Sequence, residues 1–423
     1  MLLKDSQVTE DWNIIVIGGG AAGFFGAIIC AEEAPDKRVL IVEKSRKVLT
    51  KVKISGGGRC NVTHDCFDPK AMATRHYPRG NKALIGPMFR FGVAETVRWF
   101  EARGVELKTE SDGRIFPTTD DSQTIINCLR EAAREAGVVV RTSTGVKEIT
   151  PRGGRSENGD GFELLLDGGE RLFADQVLLA TGGTRLSRSE KLARGLGHKL
   201  QPAVPSLFTF HIDDGRINGL QGLTVENVEV RVEGQRLESS GPLLITHRGV
   251  SGPAILKISA WGARALHNLD YQFSIVVNWL PGVDVDRRID DLRHGEGKKQ
   301  VASRSFFEAI PKRLWRRLLK AAGISKKRRW AELSAESQRS LVGELTECRL
   351  QVRGKSTNKD EFVTCGGVLT DEVDMRTMES RRCPGVFVAG ELLDIDGVTG
   401  GFNFQNAWTT GFLAGCAMAG STP

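Results

Sequence analysis

Apolar residues gather into short unbroken runs near both ends of the chain and into alternating or stripe patterns between them. Ile14, Ile15, Val16 and Ile17 form a β-branched run that reads as a strand buried on both faces. A glycine-rich turn follows, then residues 24–33 read as a helix ended by Ala34, Pro35 and Asp36. Residues 39–42 are a second apolar strand with Glu43 at its end, completing a βαβ opening. Residues 44–61 read as a Lys- and Gly-rich loop. Trp99 and Phe100 anchor a predicted helix over 92–103, and Ile125, Ile126 and Leu129 anchor one over 122–136. Strands are predicted at 138–141 and 146–149. A hairpin is predicted from 162–166 and 171–174 about Asp167-Gly168-Gly169, and another buried strand at 177–180.

The texture changes twice in the middle of the chain. Residues 225–232 alternate with period two and 273–277 form a further strand, which points to an antiparallel β region. Residues 281–345 read as helical. Pro311 stands at a helix start, and Leu314, Trp315, Leu318, Leu319 and Ala322 form the apolar stripe. Thr246 to Pro253 reads as the opening of another helix, with Ser251 as cap. Strand-and-glycine texture returns at 362–368 and 385–390, and residues 406–419 read as a closing helix. The expected division is a nucleotide-binding domain over 1–198, a β-rich insertion over 199–280, a small basic helical domain over 281–345, and a return to the β-rich region and the first domain over 346–423.

The turn after the first strand carries the chemistry. Gly18-x-Gly20-x-x-Gly23 sits between a strand and a helix. In a dinucleotide fold the first glycine permits the tight turn, the second lets a pyrophosphate approach the backbone, and the third lets the helix pack on the strand. The helix start, with Ala21 and Ala22, offers free N–H groups and a positive dipole end to phosphates. The carboxylate of Glu43 can accept from ribose hydroxyls. Thr181-Gly182-Gly183 after one buried strand and Gly390-Glu391 after another supply two more glycine-rich strand ends, and Gly401, Phe402, Asn403 and Gln405 precede the last helix. Three strand ends from distant parts of the chain suit FAD, a larger cofactor than NAD alone.

In this order, IIVIGGGAAG, EK, SGGGRCNVT, GRIFP, ATGG, SGPAIL, TCGGV, TMES and GVFVAGELLDIDGVTGGFNFQNA resemble the BaiN/RdsA-type family of NAD(P)/FAD-dependent flavoproteins over nearly the whole chain. The resemblance implies an α/β fold: a glutathione-reductase-type FAD-binding Rossmann domain with inserted β-barrel-like and small helical domains. It implies non-covalent FAD, with NAD(P)H as co-substrate. By the same resemblance Glu43 and Lys44 lie at the adenosine ribose and Val146 at the adenine. Ser55, Arg59, Cys60 and Asn61 lie along the cofactor, and Gly390, Glu391, Asn403 and Gln405 face the flavin. The chain departs from the family at His64, where Asn is usual, and after Gly183, where a glycine run is missing. The activities implied are reduction of a carbon–carbon double bond or oxidation of a small amine. The alternatives are an RNA-binding or tRNA-modifying flavoprotein and a non-catalytic flavin carrier.

Other features narrow the picture. His247 is a candidate proton donor and Arg114 a candidate anion ligand for a small-molecule substrate, while no residue stands out as the catalytic acid or base. Cys60 reads as a small packed residue rather than a redox thiol. The eight cysteines form no CxxC pair or zinc-finger spacing, so no metal site is expected. The uncharged stretches 13–31 and 397–423 are broken by glycines and amides, so a membrane span is not expected and a cytoplasmic protein is the default. The net charge is +7. Residues 298–329 contain twelve basic side chains and one acid, Glu308, which exceeds the net charge of the whole chain. This segment is either a solvated helix face or the docking surface for an anionic partner.

Overall fold

The computed structural model describes residues 11–153, 161–184, 187–356 and 363–422. The mixed-charge start over 1–10, Arg185 and Leu186 of the segment after Gly183, and Phe362 at the head of a predicted strand lie outside the described residues. The chain forms two compact units, residues 1–205 with 360–423 and residues 206–359. The stretches expected as a β insertion and as a helical insertion therefore lie largely within one unit.

The first unit is built on a parallel sheet. Asp11–Ile17 lies between Val39–Val42 and Arg171–Leu179, Val139–Arg141 extends one side, and Val386–Val388 extends the other. Val39 to Val42 are all buried, as a strand covered on both faces requires. The hairpin and the buried strand expected at 171–174 and 177–180 are one element. Arg171–Leu179 pairs antiparallel with Gly161–Leu166 at its start and parallel with Asp11–Ile17 along its length. No Gly or Pro interrupts the strand at Asp175-Gln176, so the backbone stays extended from the hairpin into the core.

The first helix, Ala21–Glu33, and the last, Phe402–Ala419, pack against each other at glycines. A Cβ on Gly411 would lie 2.8 Å from the carbonyl oxygen of Ala22, and one on Gly415 would lie 2.7 Å from that of Gly26. The last helix begins four residues before the predicted start and ends at Gly420, in the left-handed region at φ 86°. The loop expected over 44–61 contains a helix, Thr50–Gly58, broken at Ser55, Gly56 and Gly57. Two helices unmarked by any long apolar stripe, Pro69–His76 and Asn81–Arg90, follow.

The second unit holds a seven-stranded antiparallel sheet. Its order runs Cys348–Val352, Phe273–Asn278, Thr224–Val232, Glu238–Thr246, Gly249–Ser251, Phe210–His211, Gly354–Lys355. The first and last strands of that order are joined by Arg353 alone, so one chain segment supplies both edges and the sheet curls into a barrel-like form. The helix after Gly249–Ser251 is Pro253–Trp261, and its cap is Gly252 at φ 92°, not Ser251, which ends the strand. Lys312–Ala321 buries Leu314, Trp315, Leu318 and Leu319 as the stripe requires, with Pro311 in the cap position.

A buried polar group ties the first unit together where the chain leaves and re-enters it. His198 Nδ1 donates to Glu372 Oε2 at 3.2 Å, and Ser380 Oγ donates to His198 Nε2 at 3.0 Å. Ser380 Oγ also accepts from the N–H groups of Arg382 and Cys383, so its one proton is committed to the ring nitrogen. Glu372 further accepts from Lys199 N–H at 2.7 Å and from Arg382. The network is complete only with a neutral imidazole. Burial pushes the His198 pKa below its ordinary value, against the pull of Glu372.

Two outcomes follow from this packing. Gly411→Ala gains about 1 kcal/mol of helix propensity. It also forces a Cβ onto a backbone carbonyl, where overpacking costs about 1–3 kcal/mol. A net loss of up to about 2 kcal/mol is expected, read as a lower denaturant midpoint at unchanged slope. His198, neutral when folded and ordinary when unfolded, makes stability fall as the pH drops through and below about 6.5, by at most about 1.4 kcal/mol per pH unit. In His198→Gln that acid-side slope should diminish in urea melts between pH 5 and 8.

Candidate functional site

The turn after the first strand is shaped to receive an anion. Gly18 adopts φ 115°, and a Cβ there would lie 2.3 Å from the carbonyl oxygen of Ala180. A Cβ on Gly23 would lie 2.0 Å from the carbonyl oxygen of Gly18, so only glycine lets the helix start this close to the strand. Gly20 caps the helix without a side-chain bond, and a Cβ on it would meet nothing within 4 Å. The N–H groups of Ala21, Ala22 and Gly23 have no intrahelical acceptor and open onto that space.

Glu43 closes one side. Its two carboxylate oxygens accept from the N–H groups of Gly19 and Ser45, each at 2.8 Å, which fixes its orientation and leaves lone pairs for a further donor. Lys44 is exposed beside it. Thr144 N–H donates to the Glu43 carbonyl at 2.9 Å and so brings the buried Val146 near the same end.

The strand ends converge opposite. Ala180 N–H donates to Ile17 C=O and Ala389 N–H to Leu179 C=O, both at 3.0 Å, so the three strands terminate side by side. Thr181 Oγ1 is buried with no partner in the structure. Gly182 and Gly183 leave room against Glu391, where a Cβ on Gly183 would lie 3.0 Å from Oε1. Glu391 Oε1 accepts from Thr364 N–H at 2.9 Å, and Oε2 is ion-paired with Lys51. Gly390, whose Cβ would lie 2.9 Å from that of Ala22, links this end to the phosphate turn.

The SGGGRCN segment and the head of the last helix form the other end. Ser55 Oγ donates to Val52 C=O. Cβ atoms on Gly57 and Gly58 would meet nothing within 4 Å, so this backbone faces open space. Cys60 is fully buried at φ 62°, and burial pushes its thiol up to about 12, so it stays protonated. With its amide in the bonded orientation, Asn61 accepts from Gly401 N–H at 3.0 Å and donates to Thr63 C=O. Gly401 caps the last helix without a side-chain bond, packed so closely on Thr63 that a Cβ there would lie 2.7 Å from the Thr63 carbonyl.

Not every expected side chain faces this space. Gln405 is 0% exposed. Its oxygen accepts from Thr63 Oγ1, and its nitrogen donates to Thr96 and Thr409, so the side chain locks the helix inside the fold. Asn403 holds both the N–H and the C=O of Gly397. Phe402 is buried under the rings of His64 and His76. Arg59 stacks on Phe116 at 4.0 Å and pairs with Glu110 at 2.5 Å. Arg114 pairs with Glu110 and Asp112, which makes it part of the same ionic cluster. His247 is exposed on the second unit, whereas Arg114 belongs to the first.

The sequence reading passed over Lys51 and Thr364, which bracket Glu391, and over Tyr77, Arg79 and Asp396, which hold the loop before the last helix. A buried acid in a glycine-rich loop, Asp396, was the available signal. Among the described residues no group of three or more His, Cys, Asp or Glu side chains is arranged for a metal ion, and no helix is long and apolar enough to cross a membrane.

The geometry fits FAD. An uncapped helix start, an orphaned threonine hydroxyl and an oriented carboxylate lie along one row of strand ends, and glycines facing open space and a second helix start without a side-chain cap lie at the other end. Glu43→Gln should weaken FAD binding by roughly tenfold or more, since about 1.5–3 kcal/mol attaches to a charge-assisted hydrogen bond. Gly20→Val should abolish it. Fluorescence quenching of FAD titrated with apoprotein checks both.

Comparison with known proteins agrees with this geometry. The model of the HI0933-like protein Rossmann domain family matches residues 12–417. The 3-dehydro-bile acid delta(4,6)-reductase of Clostridium scindens is 30% identical over 96% of this chain and 99% of its own length. The ribosomal RNA dihydrouridine synthase of Escherichia coli is 29% identical over 97% of this chain and 98% of its own. Among solved structures, the 3-ketosteroid-delta4-(5alpha)-dehydrogenase of Rhodococcus jostii shares the fold at TM-score 0.52 and 16% identity, covering 98% of this chain and 99% of its own. The 3-ketosteroid delta1-dehydrogenase of Sterolibacterium denitrificans does so at TM-score 0.53 and 14% identity, over 97% of this chain and all of its own. The chain belongs to the HI0933-like, BaiN/RdsA-type family of Rossmann-fold flavoprotein oxidoreductases.

Proposed function

We propose that this protein takes electrons from NAD(P)H through FAD and uses them to reduce a carbon–carbon double bond conjugated to a carbonyl group. The observation that carries the cofactor part is the row of three strand ends between two uncapped helix starts. Ala21 to Gly23 would hold the pyrophosphate and Glu43 the adenosine ribose. Thr181 and Glu391 would hold the polyol, and the head of the last helix would meet the ring system. FAD when bound supplies hydride transfer at its N5, and the chain supplies orientation and a site shielded from water. The substrate part rests on the names of two relatives. One is a delta(4,6)-reductase of a 3-dehydro bile acid and the other makes dihydrouridine in ribosomal RNA. Both names describe adding two hydrogens across a double bond, and neither bond is isolated from a carbonyl.

A second observation favours RNA as the carrier of that double bond. Lys312, Arg316 and Lys320 follow one another at helical spacing and are exposed, as are Lys326, Lys327, Arg328 and Arg329 beyond the helix. None of these seven has an ion pair among the described residues. Arg313 and Arg317 donate instead to the carbonyls of Gly219 and Asn218. Such a ridge suits a phosphate backbone. An amine oxidase or a flavin carrier would have no use for it.

The test is anaerobic. NADH or NADPH should bleach the bound flavin, and either an enone or a uridine-containing RNA should restore the colour. Bleaching by a small amine instead of NADH or NADPH, with recovery only on admitting oxygen, would favour the oxidase, and no bleaching by either donor would refute the reading. Replacing Arg316, Arg317, Lys327 and Arg328 by Gln should leave FAD binding intact. It should weaken RNA binding and flatten its salt dependence by about 0.7 in log–log slope per lost phosphate contact. RNA binding with no salt dependence, or none at all, would remove the RNA reading and leave the small-molecule one.

A further inference from the structure

The loop that leads into the last helix contains Gly397, Gly400 and Gly401, and the last two lie at φ 130° and 91°. Left to itself, such a backbone would let the helix start wander. Besides the Asn61 contact to Gly401, it is stitched to one short segment, residues 76–80. Val398 N–H donates to His76 C=O at 2.9 Å. Tyr77 Oη, fully buried, donates to Phe402 C=O, the first carbonyl of the helix, at 2.5 Å. Arg79 Nε donates to Asp396 Oδ1 at 2.6 Å and a second guanidinium nitrogen pairs with Oδ2, making a two-pronged contact. Asp396 is 0% exposed and the Arg79 side chain 16%. Gly80 packs so closely on Ile395 that a Cβ would lie 2.4 Å from it.

A buried ion pair adds little net stability over apolar residues of the same volume, because both charges must leave water. What it adds is direction, since a planar guanidinium and a carboxylate meet in one orientation. Here that direction is imposed on the loop whose far end is the uncapped helix start. A helix start stabilises negative charge only within about its first turn, so its pose matters. We propose that Arg79, through Asp396, and Tyr77, through the Phe402 carbonyl, are positioning residues that aim the last helix at the flavin ring system. In doing so they raise the affinity for reduced over oxidised flavin. This inference rests on the functional reading above, in which FAD occupies the row of strand ends.

The experiment measures the two-electron midpoint potential of bound FAD in Arg79→Gln, Arg79→Lys and Tyr77→Phe, with thermal melts of the same proteins in parallel. Arg79→Gln should favour oxidised flavin by at least tenfold relative to wild type, a potential lower by about 30 mV. Arg79→Lys, which keeps the charge but loses the two-pronged geometry, should recover part of the shift. Tyr77→Phe should move the potential in the same direction. Melting temperatures that fall while every potential stays at the wild-type value would overturn the inference and leave a purely structural clamp. If the arginine variants do not fold, Tyr77→Phe decides alone, and an unchanged potential overturns it. A wild-type protein that takes up no FAD would overturn the functional reading, and this inference with it. Unchanged potentials in flavin-loaded variants overturn this inference alone.

Discussion

Gly411 and Gly415 of the last helix meet the carbonyl oxygens of Ala22 and Gly26 of the first at distances where no side chain fits. Backbone against backbone brings the two ends of the chain together more closely than interdigitating side chains would allow. The consequences run along both helices. The first helix presents its uncapped start beside Gly18, and the last presents its own beside Asn61. Gly390 N–H donates to Thr410 Oγ1 at 2.9 Å, which ties the third strand end to the same helix. The site draws on residues up to 61, on Val146 and 181–183, and on residues from 364 onward, and this glycine contact joins the first of these groups to the last.

How much of this could be read from the chain depended on whether a residue type answers to backbone geometry or to partners. Gly18 and Gly23 were legible because each tolerates nothing larger, for a positive φ or a carbonyl within 2.3 Å, and Gly20 because it leaves open the space an anion would fill. Glu43 was legible because it ends a strand. Gln405 and Asn403 were not, because an amide near a helix start suits a ligand and a buried lock equally well. Only the positions of Thr63, Thr96, Thr409 and Gly397 distinguish the two. The fused strand Arg171–Leu179 was split because one of its edges changes partner midway, from Gly161–Leu166 to Val386–Val388, while the other stays with Asp11–Ile17. Lys51 carries no pattern of its own. Its pairing with Glu391 joins residues far apart in sequence, and nothing local announces it.

The buried charges of the first unit sit at its chain crossings rather than at random. Glu372, with His198, Ser380 and Arg382, joins the segment that leaves the unit to the one that returns. Asp396 with Arg79 joins the loop before the last helix to the segment at 76–80. Apolar contacts would bury as much surface but would accept several orientations. Hydrogen-bonded charges accept one, and removing either partner leaves the other buried without compensation. The first network is complete only with a neutral histidine, whereas the second is an ion pair.

Charge outside the core is arranged by the opposite logic. Around the proposed FAD site several charged side chains have partners: Arg59 with Glu110, Arg114 with Asp112, Lys51 with Glu391, Lys53 with Asp121. Pairing holds those side chains in place and neutralises their charges. On the second unit the ridge from Lys312 to Arg329 is exposed and mostly unpaired, although Trp315 and Trp330 beneath it are fully buried and give it a firm base. Unpaired like charges on a rigid surface repel one another, and the repulsion is relieved by whatever anion settles there. The segment 298–329 of the second unit alone carries twelve basic side chains against one acid, more than the net charge of +7 of the whole chain. On the functional reading proposed above, one unit would orient the cofactor by paired charges and backbone, and the other would offer its unbalanced field to an anionic partner.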